Sequence, residues 1–132
     1  MAFFLDIAEV LAIHDSQMKL FGGEYGIRDF ALLESAVAMP QSGFGKEYLH
    51  EDNYERAAAY LFHIVQNHPF LDGNKRTGAA AALVFLAING ILIHSDQSKF
   101  EQMVVEVATG KLRKSEIALF FRERKTKQKD NG

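Results

Sequence analysis

Apolar residues recur every three or four positions along most of the chain, which is the spacing of amphipathic helices. Six such segments follow one another, and no region shows the sustained alternation that a strand-rich protein requires. The predicted helices cover roughly residues 6–21, 29–39, 52–67, 74–89, 96–109 and 115–124. The pattern therefore predicts an all-α fold of about six helices.

The predicted helix ends coincide with residues that start or stop helices. Asp29 and Asp52 suit the N-cap position, because a carboxylate there accepts a hydrogen bond from the first turn. Pro69 biases His68 away from the right-handed helical region, so the third helix should end near Asn67. These boundary signals place the polar segment after Asn67 outside a helix.

The fourth helix has an apolar middle, residues 79–88, without a charged side chain, which predicts a buried central helix. Residues 41–51 contain two glycines and two aromatic residues, which favours a flexible loop or short flap before the third helix. We expect one domain over residues 1–125, followed by a flexible basic tail over residues 126–132.

The composition narrows the class of protein without identifying it. A chain of 132 residues with 48% hydrophobic and 24% charged residues is typical of one soluble domain. A net charge of −2 gives no overall nucleic-acid signature, and the lack of cysteine excludes disulfides and thiolate metal sites. The first residues lack a basic signal-peptide region, and the longest apolar run is too short to cross a bilayer. We therefore expect a cytoplasmic protein.

The segment HPFLDGNKRTG, residues 68–78, concentrates polar chemistry immediately before the apolar helix. Gly73 can adopt a positive φ and turn the chain sharply. The amides of residues 73–76 would then be free donors at a helix N-terminus, which binds anions through geometry and dipole. Lys75 and Arg76 add two cations at the same place, so the segment predicts a phosphate site.

Asp72 and His68 add two further functions to this predicted site. A carboxylate beside phosphates repels them unless a divalent cation intervenes, and Mg²⁺ typically bridges a carboxylate to substrate phosphates. A neutral imidazole at His68 can accept a proton from an attacking hydroxyl. Phe70 is more plausible as a core anchor. As spacing alone, the cluster is equally consistent with ordinary caps, and it matches neither a Walker A nor a Rossmann motif.

The stretch HPFLDGNKR resembles the motif of the Fic/Doc (Fido) superfamily, His-x-Phe-x-Asp/Glu-Gly-Asn-Gly-Arg-x-x-Arg. Lys75 stands at the position of the second motif glycine, and in this the chain resembles the Doc, or death-on-curing, branch. The likeness extends in order over residues 2–9, 12–45 and 73–93, and so over nearly the whole chain.

The resemblance implies an all-helical Fic fold and a role for each residue of the motif. His68 would be the general base, Asp72 would hold Mg²⁺, and Phe70 would anchor the loop. The residues that would bind nucleotide phosphates are Gly73, Asn74, Lys75 and Arg76. The flap near residues 41–48 would dock the target protein by backbone pairing.

Two departures from the wider motif bear on the reaction. Lys75 replaces the second glycine, and Ala79 stands where adenylylating members have a second arginine. Both match the Doc branch, which implies transfer of the ATP γ-phosphate to a protein hydroxyl. The implied target is elongation factor Tu, whose phosphorylation blocks translation. Transfer of AMP or UMP, and a non-catalytic Fic-fold binding module, remain the alternatives.

The resemblance also implies a regulatory partner. No serine or threonine in the chain has glutamate four residues later, so the Ser/Thr-x-x-x-Glu inhibitory helix of many Fic proteins is missing. The expected inhibitor is a separate Phd-like antitoxin of a type II toxin–antitoxin module. DNA contact would then be indirect, through the antitoxin, and no membrane partner is expected.

The pair His14-Asp15, with His63 and His68, raises an HD-phosphohydrolase as another possibility, but their order along the chain does not fit it. We expect His14 to be structural, bonding a helix end near the site. The remaining histidines are assigned by position, His63 to the core or its boundary, and His50 and His94 to the surface.

Overall fold

The computed structural model describes residues 2–44, 47, 48, 50 and 52–126, with the backbone alone described at 43, 44, 47 and 48. It contains six α-helices, each at a predicted position. They are α1 (Ile7–Phe21), α2 (Phe30–Ala38), α3 (Asn53–Asn67), α4 (Asn74–Ile88), α5 (Gln97–Ala108) and α6 (Lys114–Glu123). The all-α prediction is confirmed.

The segment between α2 and α3 contains a short 3₁₀ turn and a small hairpin. The turn is Met39–Gln41, and the hairpin pairs β1 (Gly43–Phe44) antiparallel with β2 (Glu47–Tyr48). This hairpin lies within the predicted flap. Of the predicted tail, everything after residue 126 lies outside the described residues.

Aspartate N-caps fix where four of the helices begin. The carboxylates of Asp6, Asp29, Asp52 and Asp96 each accept a bond from the backbone N–H three residues on. Such a cap contributes about 1 kcal/mol to stability. The helix starts are therefore encoded locally, as the sequence indicated for Asp29 and Asp52.

The core forms where α3 crosses α4. The two helices approach closely at Gly78, where an added Cβ would lie 2.9 Å from Val65 Cγ2 and 3.2 Å from the Leu61 carbonyl oxygen. α4 lies in this core as predicted, although Leu83 and Val84 on its outer side are exposed. No helix within the described ranges is long and apolar enough to span a membrane.

A lysine between two imidazoles connects α6 to α3 and to the segment after the hairpin. Lys114 Nζ lies 3.2 Å from His63 Nε2 and 3.3 Å from His50 Nε2. The surface assignment of His50 is wrong, since its side chain is only 6% exposed. The chain turns this residue inward beside α6, which no local pattern in the sequence shows. His94 is exposed, as expected.

The buried imidazole of His63 is expected to make stability depend on pH. Burial, and then the charge of Lys114, lower the pKa of His63 from its ordinary value of 6.5 to about 4. Between these values the unfolded chain binds a proton that the folded chain does not. Stability from this residue is therefore complete above pH 6.5 and is lost as the pH falls through about 4.

Thermal unfolding followed by circular dichroism from neutral pH to pH 4 tests this dependence. The variant His63→Gln should show a flatter decline of melting temperature than wild type, because the titrating group is gone. His94→Gln, which removes an exposed histidine, should keep the wild-type slope. Equal slopes for wild type and His63→Gln would contradict the assignment.

Candidate active site

The site begins where α3 ends, at His68. This residue has φ 52° and ψ 52°, and it is the one non-glycine residue in the described part of the chain with a positive φ. Its N–H still bonds the Ile64 carbonyl at 3.2 Å, which closes the helix. A left-handed residue is costly for most side chains, so the surrounding contacts must hold it.

Arg28 supplies those contacts from the segment between α1 and α2. Its Nε donates to the His68 carbonyl at 2.6 Å, and its Nη2 donates to the Asn67 carbonyl at 3.0 Å. Its backbone N–H donates to the Pro69 carbonyl at 2.7 Å. The sequence analysis missed Arg28. Glycines at 22, 23 and 26 favour a turn there, but they do not show which loop that turn contacts.

Asn74 fixes the shape of the loop between α3 and α4, residues 68–73, named here the active loop. Its Nδ2 donates to the Phe70 carbonyl and its Oδ1 accepts from the Phe70 N–H, both at 2.9 Å. The side chain is only 4% exposed. It therefore closes the loop, and the predicted contribution of Asn74 to the anion-binding turn falls to its backbone N–H.

Phe70 lies fully buried against His14 of α1. The two rings stack with centroids 3.8 Å apart and planes 7° apart, and His14 Nε2 bonds the Asp72 carbonyl at 2.9 Å. The loop is thus anchored to α1, in agreement with the structural roles expected of both residues. Because His63 bonds Lys114 instead, the histidines do not assemble the HD-type site.

Gly73 is the N-cap of α4 and provides no side chain to bond the helix start. Its φ of 78° is left-handed, and a Cβ there would overlap Met18 Cε, so both conformation and space select glycine. The first intrahelical bond runs from Thr77 N–H to the Gly73 carbonyl at 2.9 Å. The N–H groups of residues 74–76 thus have no partner within the helix and can bind an anion. The prediction of a free N–H at Gly73 is wrong, because that group donates to Asp72 Oδ1.

Two cations lie at this helix start. Lys75 is exposed, and Arg76 is partly buried with its guanidinium carbon 5.3 Å from the centre of the Phe21 ring. Neither takes part in the ion pairs found among the described residues. Their charges are therefore available to phosphate.

Asp72 presents an ionised carboxylate beside the turn. Its Oδ1 accepts from Gly73 N–H at 2.8 Å and its Oδ2 accepts from Glu24 N–H at 3.2 Å. These bonds, first that from Glu24, lower the pKa of Asp72 below its ordinary value. Each oxygen retains a free lone pair.

One carboxylate fits Mg²⁺ that is bound mainly through substrate phosphates and water. Within residues 2–44, 47, 48, 50 and 52–126, no three His, Cys, Asp or Glu side chains are grouped so as to hold a metal. Asp72 therefore belongs to no such three-residue group, and a magnesium ion there would be bound largely by phosphates and water.

The loop and the start of α4 border a cavity of about 520 Å³, within the range of small-ligand sites. Its lining contains the predicted site residues, and three apolar residues complete it. The site residues are His68, Asp72, Gly73, Asn74, Lys75 and Arg76, and the apolar residues are Val65, Leu71 and Ala108. A larger groove of about 660 Å³ between α5 and α6 contains none of the predicted residues, so size alone does not locate the site.

Comparison with known proteins finds a matching family model and two similar relatives. A family model described as the Fic/DOC family matches residues 4–86. The chain is 43% identical over 91 residues to a protein of Mycolicibacterium smegmatis named Toxin Doc, covering 67% of this chain and 70% of the relative. It is 33% identical over 110 residues to Protein kinase doc of Escherichia phage P1, covering 83% of this chain and 86% of the relative.

Proposed function

The chain belongs to the Fic/DOC family, and on that premise we propose that it is a Doc-type toxin with protein kinase activity. It transfers the γ-phosphate of ATP to a hydroxyl of a protein, with elongation factor Tu as the expected target. The observation that carries the proposal is the cavity in which a histidine, an ionised carboxylate and a cationic helix start meet. The names of both relatives support it.

His68 acts as the general base. Its side chain is exposed at the cavity, and its ring makes no hydrogen bond to another described residue. The hydroxyl oxygen of the target attacks the γ-phosphorus, and its proton passes to a ring nitrogen of His68. The bond from the γ-phosphorus to the oxygen bridging it to the β-phosphate breaks, and ADP leaves. Positioning and electrostatics carry most of such a reaction.

The start of α4 stabilises the phosphoryl group during transfer. The free N–H groups of residues 74–76 can bond the oxygens of that group, and Lys75 and Arg76 add positive charge. These donors are held in place before ATP binds, because the Asn74 side chain bonds both backbone groups of Phe70 and so fixes the loop. No reorganisation is needed as charge develops.

Asp72 would hold Mg²⁺ at the edge of the phosphate site. When bound, the cation offsets the negative charge of the phosphates, which allows a carboxylate to lie beside them. Asp72 is suited to this because the backbone N–H groups of Glu24 and Gly73 bond its carboxylate, orient it and keep it ionised.

The proposed biological setting is a cytoplasmic type II toxin–antitoxin module. The relative named Toxin Doc supports toxicity, and the lack of a Ser/Thr-x-x-x-Glu segment in the sequence supports inhibition by a separate protein. A Phd-like antitoxin is the proposed partner, and DNA is contacted only through it.

A bacterial translation extract with ATP labelled at the γ or the α position tests the proposed function. Wild type should place γ-label on a protein of the size of elongation factor Tu and should stop translation. Label from the α position would mean nucleotidyl transfer. No label from either position, with folded and antitoxin-free protein that still blocks growth, would favour a binding module.

Asp72→Asn is expected to weaken Mg²⁺-dependent transfer by about 10–100-fold at low Mg²⁺. This loss equals about 1.4–2.7 kcal/mol, which lies within the about 1–4 kcal/mol that a close charge contributes. The amide oxygen can still accept the bond from Gly73 N–H, whereas the longer bond from Glu24 N–H is lost. The unfolding midpoint of the variant is therefore measured beside its rate. Titration of transfer rate against Mg²⁺ measures the effect, and high Mg²⁺ should restore part of the rate.

Glu24→Gln is the matched control. It neutralises the side chain of a neighbouring residue that bonds Asp72 through its backbone N–H. Its Mg²⁺ dependence should equal that of wild type. If Asp72→Asn also followed the wild-type titration, Asp72 would be a loop-capping residue only.

A further inference from the structure

The segment between α1 and α2 forms a short strand against the active loop. Two backbone bonds join residues 26–28 to residues 69–71, and in each bond an N–H of one segment donates to a carbonyl of the other, at 2.7 Å and 3.0 Å. Between these bonds Ile27 pairs antiparallel with Phe70. The two residues share no hydrogen bond in such a pair, so the N–H and C=O of each point away from the other residue.

The two outward edges of this pair differ. On the active-loop side, the Asn74 side chain accepts from the Phe70 N–H and donates to the Phe70 carbonyl, both at 2.9 Å. On the other side, the N–H and carbonyl of Ile27 bond no residue in the part of the chain that the structure describes. Ile27 therefore presents a free strand edge, which is a template for pairing with another extended chain.

Exposed apolar side chains accompany the free edge. Ile27 is 40% exposed and Leu71 is 45% exposed. A Cβ added at Gly26 would lie 2.8 Å from Leu71 Cδ1, so the Leu71 side chain lies over the backbone directly before Ile27. Tyr25 and Phe30, close to the edge in the chain, are at least half exposed. A surface that leaves backbone groups and apolar side chains open together is typical of a site that binds a partner.

This edge is continuous with the active-loop cavity. Leu71 lines that cavity together with His68. Ile27 lies opposite Phe70, which is two residues, or at most about 7 Å of extended chain, from His68. A protein that brings a hydroxyl to His68 therefore has the residues beside that hydroxyl within reach of Ile27 and Leu71.

We propose that residues 26–28 and Leu71, named here the docking edge, hold the protein substrate. An extended segment of the substrate pairs with the N–H and carbonyl of Ile27 and packs apolar side chains on Ile27 and Leu71, which places a hydroxyl of the same segment at His68. This inference rests on the proposed transfer of phosphate to a protein. Backbone pairing supplies affinity, and the exposed side chains select apolar residues near the hydroxyl. The docking edge is separate from the flap near residues 41–48.

Titration of the bacterial translation extract against a fixed amount of the full chain tests the docking edge, with the initial rate of label transfer from ATP as the readout. Ile27→Lys replaces an apolar side chain with one that hinders strand pairing, and Ile27→Pro removes the free N–H. Each should raise the extract concentration that gives half the maximal rate by about tenfold or more. The maximal rate and the calorimetric affinity for ATP with Mg²⁺ should equal those of wild type, because Ile27 does not line the active-loop cavity.

Leu92→Lys is the matched control, because it places the same charge at a 64% exposed leucine that belongs neither to the docking edge nor to the lining of the active-loop cavity. It should follow the wild-type titration. The proposal is overturned if both Ile27 variants also follow that titration, if both lose affinity for ATP, or if wild type labels no protein. A wild-type dimer in light scattering that Ile27→Lys makes monomeric would also overturn it and assign the edge to a second copy of the chain.

The position of the label distinguishes this proposal from the kinase function. Transfer from α-labelled ATP that depends on Ile27 would refute the kinase and leave the docking edge standing. Transfer from γ-labelled ATP that both Ile27 variants perform as wild type does would refute the docking edge and leave the kinase standing.

Discussion

Replacing His68 with asparagine is expected to reduce phosphate transfer by about 10²–10⁴-fold, the usual contribution of general base catalysis. An amide cannot take up the proton of the attacking hydroxyl at neutral pH. Asparagine is chosen because it tolerates the left-handed conformation that His68 adopts, so the turn held by Arg28 should remain. Initial rates of γ-phosphate transfer at saturating ATP measure the loss.

A control variant and a stability measurement accompany the measurement on His68→Asn. His94→Asn removes an exposed histidine outside the active-loop cavity and should leave the rate unchanged. The unfolding midpoint of His68→Asn should lie close to that of wild type. A variant that transfers phosphate at nearly the wild-type rate would show that His68 is not the base.

Replacing Asn74 with alanine should produce the largest loss of stability, about 2–6 kcal/mol in the free energy of unfolding. The substitution removes the partners of both the N–H and the carbonyl of Phe70, a fully buried residue. Each buried backbone group left without a partner costs about 1–3 kcal/mol. Urea denaturation of the purified variant measures the change.

Two further substitutions separate the hydrogen bonds from the packing. Asn74→Asp can still accept from the Phe70 N–H but cannot donate to the Phe70 carbonyl when ionised, and it adds a buried charge. It should be destabilised as well. Ser98→Ala, at an exposed position in the first turn of α5, is the control and should cost less than about 1 kcal/mol. A loss below about 1 kcal/mol for Asn74→Ala would mean that the loop is held elsewhere.

The helices could be predicted because their signals are local. Asp29 and Asp52 each cap the helix that they precede, and Pro69 follows His68, the C-cap of α3. The hairpin could not be predicted, because strands of two residues are too short to show alternation. The exposure of Leu83 and Val84 also depends on which helices cover α4, and the composition of α4 does not reveal that.

Part of the site could also be predicted, because some of its residues lie close together in the sequence. His68, Asp72 and the cations are contiguous in sequence, and the cavity brings them together. Arg28 acts from 40 residues away, through bonds to backbone carbonyls that any residue could provide. Such contacts leave no spacing pattern. His50 was misplaced because its burial depends on the path of α6.

The most direct test of the central claim is the intact mass of purified elongation factor Tu after incubation with this protein, ATP and Mg²⁺. The account predicts an increase by one phosphate, formed together with ADP and missing with His68→Asn. An increase by a nucleoside monophosphate would contradict phosphate transfer and show nucleotidyl transfer instead. An unchanged mass, with a folded protein that binds ATP, would contradict elongation factor Tu as the target.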